Sequence, residues 1–402
     1  MSEMSTKSRE LFHYQHDSLI FNGHALFDHV AVKNYDQPLL LHSSELVQER
    51  INWVKEWKNL GQLHFAVKSN YDETILKLIQ KNGCGVDVVS LGEIQLALRC
   101  GFKPQDILFS GVGKTEKEIR FAIENQIYQL NVESISELKR IVKISNQMEK
   151  KLHIGLRLNP EVDAKTHPNI ATALEDSKFG LNTRDLSEVE TLLEDSKYVI
   201  LKSISFHIGS QVMDTSIFRE AVSKMKPIYK DIKSRFSSVD RFDLGGGLGL
   251  NYRDHNTAND YERWTQLRQI YEETLSDMPD YFLVEIGRFM VARSAVMVAQ
   301  VQYIKKTKNK TILILDVGMN NLLRPMLYQA YHQIYPLKLR AGKHSYMVVG
   351  PLCESSDVFH ADIELNILHE GDFVAIADAG AYTKSMASNY NLQPIVKDIY
   401  LD

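Results

Sequence analysis

Three groups of residues in this sequence have side chains and spacing suited to holding an aldehyde cofactor. Lys68 ends the apolar run 63–67, and a lysine amine in a desolvated place can form a Schiff base with an aldehyde. Three consecutive glycines, 245–247, follow another apolar run, and such glycines let backbone N–H groups approach a phosphate closely. Glu285 lies near the end of a third run, where a carboxylate can keep a pyridine nitrogen protonated. Pyridoxal 5′-phosphate requires an amine, a phosphate loop and a carboxylate, so the sequence predicts a site for this cofactor.

The elements that must position these residues are eight strand-like runs that alternate with helical patterns. The runs are 63–68, 85–90, 107–111, 128–134, 153–159, 204–209, 242–247 and 281–288. Alternating strands and helices predict a parallel sheet, and eight repeats predict that it closes into a (β/α)8 barrel. Catalytic groups of such barrels lie at the C-terminal ends of the strands, so we expect the residues above to share one rim. A glutamate three residues after Ser90, and another after Ser134, predict helix starts of the capping-box type.

A second domain follows the barrel pattern. Its short apolar or alternating runs are 295–304, 311–317, 345–349, 362–368 and 372–378. They are separated by turns and lack long helical patterns, so we predict a C-terminal all-β domain, either a sandwich or a barrel. The predicted barrel covers 39–288. Residues 1–38 do not fit the barrel repeat, and we assign them to the β domain together with 289–402.

Composition and charge restrict the class of protein. The chain is 44% hydrophobic and 24% charged, which is typical of a soluble globular protein. A net charge of −4 and the lack of a clustered basic run argue against a nucleic-acid partner. The polar start, and the lack of an apolar stretch near the ~18 residues of a membrane span, predict a cytoplasmic protein with no membrane partner. The three cysteines, Cys84, Cys100 and Cys353, cannot all pair and have no metal-ligand spacing, so we predict neither disulfides nor a metal site.

Taken alone, each candidate has a simpler interpretation. A lysine at a strand end is more often a solvated surface residue, a lone His207 is more often structural, and glycines 245–247 can form only a tight turn. These glycines do not match a dinucleotide fingerprint, whose third glycine would stand at Leu250. A P-loop ending at Thr115 would need glycine at Leu108, so we expect Thr115 to start a helix instead. The joint placement at one rim favours the cofactor site.

Ten segments of the chain resemble the diaminopimelate decarboxylase family. They are FAVKSN (65–70), GVDVVSLGEI (85–94), NVESISEL (131–138), RLNPEVDAKTH (157–167), SKFGL (177–181), HIGSQ (207–211), DLGGGLG (243–249), DVGMNNLLRPMLY (316–328), GPLCESSD (350–357) and DAGAYTKSMASNYN (378–391). The lysine and glycine segments are typical of the wider fold-type III decarboxylases that use pyridoxal phosphate. RPMLY, and CESSD with AGAY, point to the diaminopimelate branch. The resemblance runs from about residue 40 to the end and implies an alanine-racemase-like barrel followed by a β domain.

The resemblance also implies a role for each residue of the site. Lys68 would hold the cofactor covalently, His207 would stack on its ring, and Glu285 would meet the pyridine nitrogen. The implied cofactor-binding residues are Lys68, Asp87, Arg157, His207, Ser210, Gly246, Gly247, Glu285, Gly287, Arg288 and Tyr382. The implied substrate-binding residues are Arg288, Arg324, Tyr328, Glu354 and Tyr382.

The implied reaction is the last step of lysine biosynthesis. The enzyme would remove carbon dioxide from the D-centre of meso-2,6-diaminopimelate and release L-lysine. Lys68, His207 and Cys353 would be catalytic, and Cys353 would return a proton to the α-carbon. Two arginines suit this substrate, because its distal end keeps a carboxylate that a guanidinium can bind bidentately. Cys353 and Glu354 would reach the active site of another subunit, so the resemblance implies a homodimer with shared sites.

Two other functions remain open on sequence grounds. A related decarboxylase could act on another carboxylated amine, such as a siderophore precursor. Such relatives usually alter the segments 324–328 and 353–357, which are intact here. A non-catalytic protein that binds pyridoxal phosphate is the second alternative, and the presence of both Lys68 and Cys353 argues against it.

Three positions depart from the family pattern. Ile286 stands where the family usually has proline, so the turn from Glu285 to Arg288 lacks a fixed φ. Ala173 stands where glycine is common, and Asn169 where an aromatic residue is frequent. We expect the change at Ile286 to be tolerated, whereas Ala173 and Asn169 flank the loop 178–180, where a change could alter fine substrate preference.

Overall fold

The chain forms two compact units. The computed structural model describes residues 9–163, 177–194, 196–278 and 281–401. The barrel unit lies within 51–249 and 263–288, and the β unit lies within 1–50, 250–262 and 289–402.

The described residues contain the following regular elements. The strands are β1 (Phe12–Gln15), β2 (Ser18–Phe21), β3 (His24–Ala25), β4 (Leu39–His42), β5 (Leu60–Ala66), β6 (Gly85–Val88), β7 (Ile107–Phe109), β8 (Gln129–Val132), β9 (Leu152–Arg157), β10 (Val199–Ser205), β11 (Arg241–Asp243), β12 (Tyr281–Ile286), β13 (Ala295–Lys306), β14 (Thr311–Leu315), β15 (Ile334–Pro336), β16 (Lys343–Val349), β17 (Val358–Asn366), β18 (Phe373–Ile376) and β19 (Lys397–Tyr400). The α-helices are α1 (Val30–Lys33), α2 (Ser44–Lys55), α3 (Glu73–Lys81), α4 (Leu91–Arg99), α5 (Glu116–Glu124), α6 (Ile135–Met148), α7 (Leu186–Glu194), α8 (Ser216–Arg235), α9 (Thr257–Thr274), α10 (Arg288–Val291) and α11 (Arg324–Tyr328).

The predicted (β/α)8 barrel is confirmed. Strands β5 to β12 pair in parallel with their neighbours in chain order, and β12 pairs with β5 to close the barrel. Strands β6, β7 and β8 are buried at every position, because strands of such a barrel are covered on both faces. This double burial explains why the barrel strands appear in the sequence as mainly apolar runs. Their C-terminal ends form the rim on which the candidate site lies.

Several helices of the barrel unit begin at side-chain caps that hold the turns before them. The Ser90 hydroxyl accepts from the Glu93 N–H at 3.2 Å, and Ser134 accepts from Glu137 at the same distance. A capping box would also have the Glu93 carboxylate accept from the N–H of the cap residue, Ser90. Here it accepts from the N–H of Val89, one residue earlier. Thr115, predicted to start a helix, forms a complete capping box with Glu118.

The unit bounds differ from the predicted domain bounds at two places. Residues 39–50 and 250–262 lie in the β unit, although the sequence placed them within a barrel domain of 39–288. Strand β4 is apolar and fully buried, as a barrel strand would be, but it pairs antiparallel with β13 and parallel with β19. Apolar character alone does not distinguish these two environments.

The β unit is built mainly on antiparallel pairing, with parallel pairs between β14 and β16 and between β4 and β19. Its main sheet has the order β15-β18-β13-β14-β16-β17, and β4 and β19 extend it beside β13. Strands β1, β2 and β3 form a separate antiparallel sheet. One face of β13 contributes Met297 and Val301 to one apolar cluster, and the other face contributes Val296 and Val298 to a second cluster with Leu11 and other residues of the N-terminal segment. A single strand therefore joins both cores.

Among the described residues, none of the helices has the length and apolar character needed to cross a membrane.

Candidate active site

Lys68 lies at the rim of the barrel beside a buried carboxylate. It occupies a short 3₁₀ turn, Val67–Ser69, directly after β5. Its Nζ lies 3.4 Å from Asp87 Oδ2 at the next strand, and 41% of its side chain is exposed whereas Asp87 is fully buried. The other Asp87 oxygen has no hydrogen-bond partner among the described residues. The lysine amine is therefore reachable by a small molecule and lies next to an acceptor that such a molecule can satisfy.

The predicted glycine loop follows β11 and packs closely on neighbouring strands. A Cβ at Gly246 would lie 1.8 Å from the Glu285 carbonyl oxygen, and one at Gly247 would lie 2.2 Å from the Gly209 carbonyl oxygen. Gly247 also has φ of +115°, which a side chain would disfavour. These two positions therefore require glycine.

His207 contacts the glycine loop and is held neutral. It lies two residues beyond β10, and its Nδ1 accepts from the Gly246 N–H at 3.2 Å, so the ring proton of the neutral form is on Nε2. Burial, together with the positive charges of Arg157 and Lys68, holds the pKa of His207 well below its ordinary value. A neutral, partly buried imidazole is suited to stacking on a flat ring.

Ser210 and Arg288 are brought together from different strand ends. The Arg288 guanidinium donates to the Ser210 hydroxyl at 2.9 Å, and Arg288 is buried. Gly287 precedes the arginine, and a Cβ there would lie 2.9 Å from the Ser69 hydroxyl oxygen, next to the lysine turn. Ile286, which stands where the resemblance predicts proline, is buried and is the last residue of β12. The strand therefore reaches this position without the fixed φ of a proline.

Arg157 is held by Glu133, a residue that the sequence analysis did not select. Its guanidinium donates to Glu133 Oε1 at 2.9 Å and lies 4.8 Å above the Phe179 ring. Glu133 is buried, and it also accepts from the backbone N–H groups of Gly111 at 3.2 Å and Gly180 at 3.0 Å. One carboxylate thus orients the arginine and joins three segments at the rim. Its only sequence signal was its position within the family segment 131–138.

Three carboxyl groups converge inside the barrel. Burial and the charges of Asp243 and Asp87 raise the pKa of Glu285 well above its ordinary value. The pKa of Asp243 is raised mainly by burial and partly by Asp87. Glu285 Oε1 also accepts from the Asn131 amide at 3.4 Å. Asp243 and Asn131, like Glu133, were not among the predicted site residues.

The rim fits pyridoxal 5′-phosphate on the features of this structure. Lys68 offers an accessible amine, the loop at Gly246 and Gly247 presents no side chain at the rim, and Glu285 offers a carboxyl group to a ring nitrogen. The neutral His207 supplies a flat surface. The described residues contain no cluster of metal-ligating side chains.

The predicted substrate-binding residue Arg324 is fixed within the β unit. It begins α11, is buried, and donates to His332 Nε2 at 2.7 Å. His332 Nδ1 lies 2.8 Å from the Ala377 carbonyl oxygen, so this nitrogen carries the proton and Nε2 is the acceptor. The guanidinium carbon also lies 4.5 Å above the Tyr252 ring. His332 was missed by the sequence analysis.

Two predicted tyrosines lie in the same unit. Tyr328 ends α11 and is partly buried. Tyr382 follows β18 in a loop, is partly buried, and has φ of +62°. The preceding Gly380 packs so closely that a Cβ would lie 1.8 Å from the Val291 carbonyl oxygen, which fixes the path of the loop.

Cys353 and Glu354 lie on an exposed loop of the β unit. The Cys353 N–H donates to the Asn391 side chain at 3.1 Å, and the Tyr390 hydroxyl donates to the Glu354 carboxylate at 2.6 Å. The buried Asp357 holds the loop, because its two oxygens accept from the N–H groups of Met319 and Leu352. Asn169 and Ala173, the two other departures from the family pattern, lie outside the described residues.

Comparison with known proteins gives consistent matches over almost the whole chain. The family model for the pyridoxal-binding domain of pyridoxal-dependent decarboxylases matches residues 43–292. A diaminopimelate decarboxylase of Aquifex aeolicus is 34% identical over 391 residues, which cover 97% of this chain and 92% of that protein. One of Helicobacter pylori is 38% identical over 387 residues, which cover 95% of this chain and 93% of that protein.

A solved structure is similar over nearly the same range. The crystal structure of the Helicobacter pylori diaminopimelate decarboxylase complexed with L-lysine has a TM-score of 0.87 and 37% sequence identity to this chain. The match covers 92% of this chain and 93% of that one.

Proposed function

The chain belongs to the diaminopimelate decarboxylases within the pyridoxal-dependent decarboxylase family, and from this premise we propose that it converts meso-2,6-diaminopimelate to L-lysine and carbon dioxide. It is a carboxy-lyase that uses pyridoxal 5′-phosphate. The observation that carries the proposal is the joint presence of Lys68, the glycine loop 245–247 and Glu285 at one rim of one closed barrel. The L-lysine bound in the Helicobacter pylori structure supports the identity of the product.

The barrel residues hold and orient the cofactor. Lys68 would supply the amine that holds the cofactor, and the neutral His207 would provide a flat surface for its ring. Gly246, Gly247, Ser210 and Tyr382 would hold the phosphate. Gly287 allows the chain to pass close to the lysine turn, and Arg288 is fixed by its bond to Ser210. Asp87 contributes a carboxylate beside the amine, and Arg157 contributes a positive charge near His207.

The charge near the nitrogen of the cofactor ring determines whether decarboxylation can occur. When bound, pyridoxal 5′-phosphate supplies an electron-accepting ring that takes up the electron pair left by the departing carboxylate. Glu285 would keep the ring nitrogen protonated, which this electron acceptance requires. The carboxylate of Glu285 is suited to this role because it lies in a water-poor core, where a charge pair is stronger than in water.

Substrate recognition depends on groups of the β unit. The buried Arg324 guanidinium binds the distal carboxylate, and its bond to the neutral acceptor His332 orients it without cancelling its charge. Arg288, Tyr328 and Tyr382 complete the substrate set. Glu354 binds the distal ammonium group, so both charges of the L-centre are recognised. A substrate that lacks this centre would leave Arg324 and Glu354 without partners.

Cys353 returns the proton to the α-carbon and acts in the site of another subunit. The exposure of Cys353 and Glu354 supports this arrangement, because both side chains can be presented to a second copy of the chain. The functional unit is therefore a homodimer with shared sites. Mixing inactive Lys68→Ala and Cys353→Ala subunits tests this claim. Random pairing in a two-fold dimer should restore about one quarter of the wild-type activity. A mixture that exchanges subunits yet remains inactive would contradict it.

The substrate assignment is tested by a competition between carboxylated amines. Purified protein with pyridoxal 5′-phosphate is given meso-diaminopimelate, LL-diaminopimelate or a carboxylated siderophore precursor, and carbon dioxide release is measured. We expect release from the meso compound only. Release from the siderophore precursor but not from meso-diaminopimelate would refute the assignment. An Arg324→Met variant should bind the cofactor normally while losing affinity for the substrate.

A further inference from the structure

Lys114 is a buried cation that the proposed reaction does not use. It stands in the loop between β7 and α5, yet only 1% of its side chain is exposed, and lysine is rarely so buried unless it is paired. The sequence around it, GVGKT (111–115), is similar to the end of a P-loop, where a lysine would bind phosphate. The structure gives this ammonium group a different set of partners.

Three protein oxygens surround the Lys114 ammonium group. It donates to the Gly111 carbonyl oxygen at 2.7 Å, to the Asn131 carbonyl oxygen at 2.6 Å and to Glu137 Oε1 at 2.8 Å. An ammonium group has three N–H donors, so this set uses all of them and leaves none for a phosphate. Lys114 therefore joins the loop after β7 to strand β8 and to the first turn of α6.

Glu137 extends this anchor to the backbone of Glu133. While Glu137 Oε1 accepts from Lys114, its Oε2 accepts from the Glu133 N–H at 2.7 Å. Glu137 is buried, so its negative charge needs the lysine as a counter-charge. The position of the Glu133 backbone therefore depends on an ion pair in which the Glu133 side chain takes no part.

Glu133 in turn holds Arg157, and Lys114 supports this bond from a second direction. Glu133 Oε1 accepts from the Arg157 guanidinium at 2.9 Å and from the Gly111 N–H at 3.2 Å. Gly111 is thus bound at its N–H by Glu133 and at its carbonyl by Lys114. One route from Lys114 to Arg157 runs through Glu137 and the Glu133 backbone, and the other runs through Gly111.

We propose that Lys114 and Glu137 are positioning residues for Arg157, and through it for the cofactor site at the barrel rim. The Lys114–Glu137 pair and the Glu133–Arg157 pair each contain one positive and one negative charge, so the four side chains carry no net charge. Their bonds are charge-assisted and largely removed from water, where such bonds are strongest. The effect on the cofactor rests on the proposed function, whereas the effect on Arg157 does not.

Two substitutions break the anchor at different atoms. Lys114→Met keeps the length of the side chain and removes the charge, so the Glu137 carboxylate loses its partner. In Glu137→Gln, the single amide oxygen should face the ammonium group, and the NH2 group then displaces the bond from the Glu133 N–H. Lys117→Met is the matched control, because Lys117 lies three residues after Lys114 and is exposed.

Labelling of arginine side chains with phenylglyoxal measures the hold on Arg157 in the cofactor-free full chain. Each modified peptide is quantified by mass spectrometry. Arg241 is the internal reference, because its side chain is 13% exposed, as that of Arg157 is, and it pairs with Asp240 instead. We expect Lys114→Met and Glu137→Gln to raise the labelling rate of Arg157 by at least about 3-fold relative to Arg241, because one rim segment loosens locally. Lys117→Met should leave both rates unchanged.

Cofactor affinity shows whether this hold matters to the site. In a titration with pyridoxal 5′-phosphate followed by visible absorbance, Lys114→Met should raise Kd by about 10-fold, the size expected when a charged hydrogen-bonding group loses its orientation. In an Arg157→Met background the same substitution should have little further effect, because the residue that it positions is gone.

Three results would overturn the inference. Unchanged labelling of Arg157 in folded Lys114→Met and Glu137→Gln would show that the buried pair does not hold this arginine. An equal rise at Arg157 and Arg241 would indicate a general loosening of the barrel unit. An effect of Lys114→Met on Kd that persists in full in the Arg157→Met background would act by a route other than Arg157.

Circular dichroism checks the folding of each variant. If Lys114→Met does not fold, Glu137→Gln supplies both the labelling and the affinity comparison. Absence of any cofactor absorbance in the wild type would instead refute the proposed function, and the labelling of Arg157 would still decide whether Lys114 and Glu137 position it.

Discussion

Glu133 should be essential to the stability of the barrel rim, although it takes no part in the reaction. In Glu133→Gln, the shape is kept and the negative charge is lost. The carboxylate accepts from the Arg157 guanidinium and from the N–H groups of Gly111 and Gly180. An amide has only one oxygen, so its NH2 group must face one of these donors.

The size of the effect follows from burial. Removing one partner of a fully buried ion pair costs about 3–5 kcal/mol, and an unsatisfied buried donor costs about 1–3 kcal/mol. The side chain of Arg157 keeps 13% exposure and can recover part of its hydration. We therefore expect Glu133→Gln to lower the free energy of unfolding of the barrel unit by about 2–4 kcal/mol. Cofactor affinity should fall as well, because Arg157 loses its fixed orientation.

Tryptophan fluorescence during urea unfolding measures this loss in the barrel unit. The three tryptophans of the chain, Trp53, Trp57 and Trp264, are buried and belong to the barrel unit. Cofactor-free protein should be used, because a bound ligand stabilises the folded state by mass action.

Glu116→Gln is the matched control for the Glu133 variant. Glu116 makes an exposed ion pair with Arg120 on one helix, so its loss should cost no more than about 0.5 kcal/mol. If Glu133→Gln were no more destabilised than Glu116→Gln, and its cofactor affinity were unchanged, the positioning role of Glu133 would be wrong.

Four further predictions follow from the site. Lys68→Ala should lose the visible absorbance band of the bound cofactor. Cys353→Ala should keep this band and lose most turnover, and wild-type turnover in that variant would remove Cys353 from the mechanism. His332→Ala should raise KM for meso-diaminopimelate by roughly 10-fold to 100-fold with little change in kcat, because a hydrogen bond to charged Arg324 contributes about 1.5–3 kcal/mol. Burial and the charges of Asp243 and Asp87 raise the pKa of Glu285 in the folded cofactor-free protein, whereas the unfolded chain releases this proton near a pKa of about 4.3, so the stability that this group contributes is lost as pH rises above that value toward the raised pKa. Thermal unfolding of Glu285→Gln over this range should show a smaller decline than the wild type, and parallel curves would contradict the raised pKa.

The barrel could be predicted from the sequence because its signal is local and repeated. Each strand is a short apolar run followed by a capped helix, and the chemically useful residues follow the runs directly, as with Lys68 and the glycine loop. Boundaries were less accurate. Strand β10 begins at Val199 rather than near Ile204, because Lys202 interrupts its apolar pattern.

The residues that the sequence analysis missed act through side-chain contacts that exist only in the folded chain. Glu133 and His332 touch no ligand in their proposed roles, and each holds an arginine that was itself predicted. Asp243 stands directly before the glycine loop, but its negative charge acts on Glu285 only once two adjacent strands are placed side by side. The β unit shows the same limit, because β4 and β13 pair across some 250 residues of intervening chain. Periodicity carries no information on such partners.

The most direct test of the decarboxylase assignment is a lysine-formation assay. Purified protein is incubated with meso-diaminopimelate, with and without added pyridoxal 5′-phosphate, and L-lysine is quantified by chromatography on a chiral phase. We predict L-lysine in amounts equal to the carbon dioxide released, dependent on the cofactor and absent in Lys68→Ala. Protein that shows the absorbance of bound cofactor yet forms no lysine from meso-diaminopimelate would contradict the assignment.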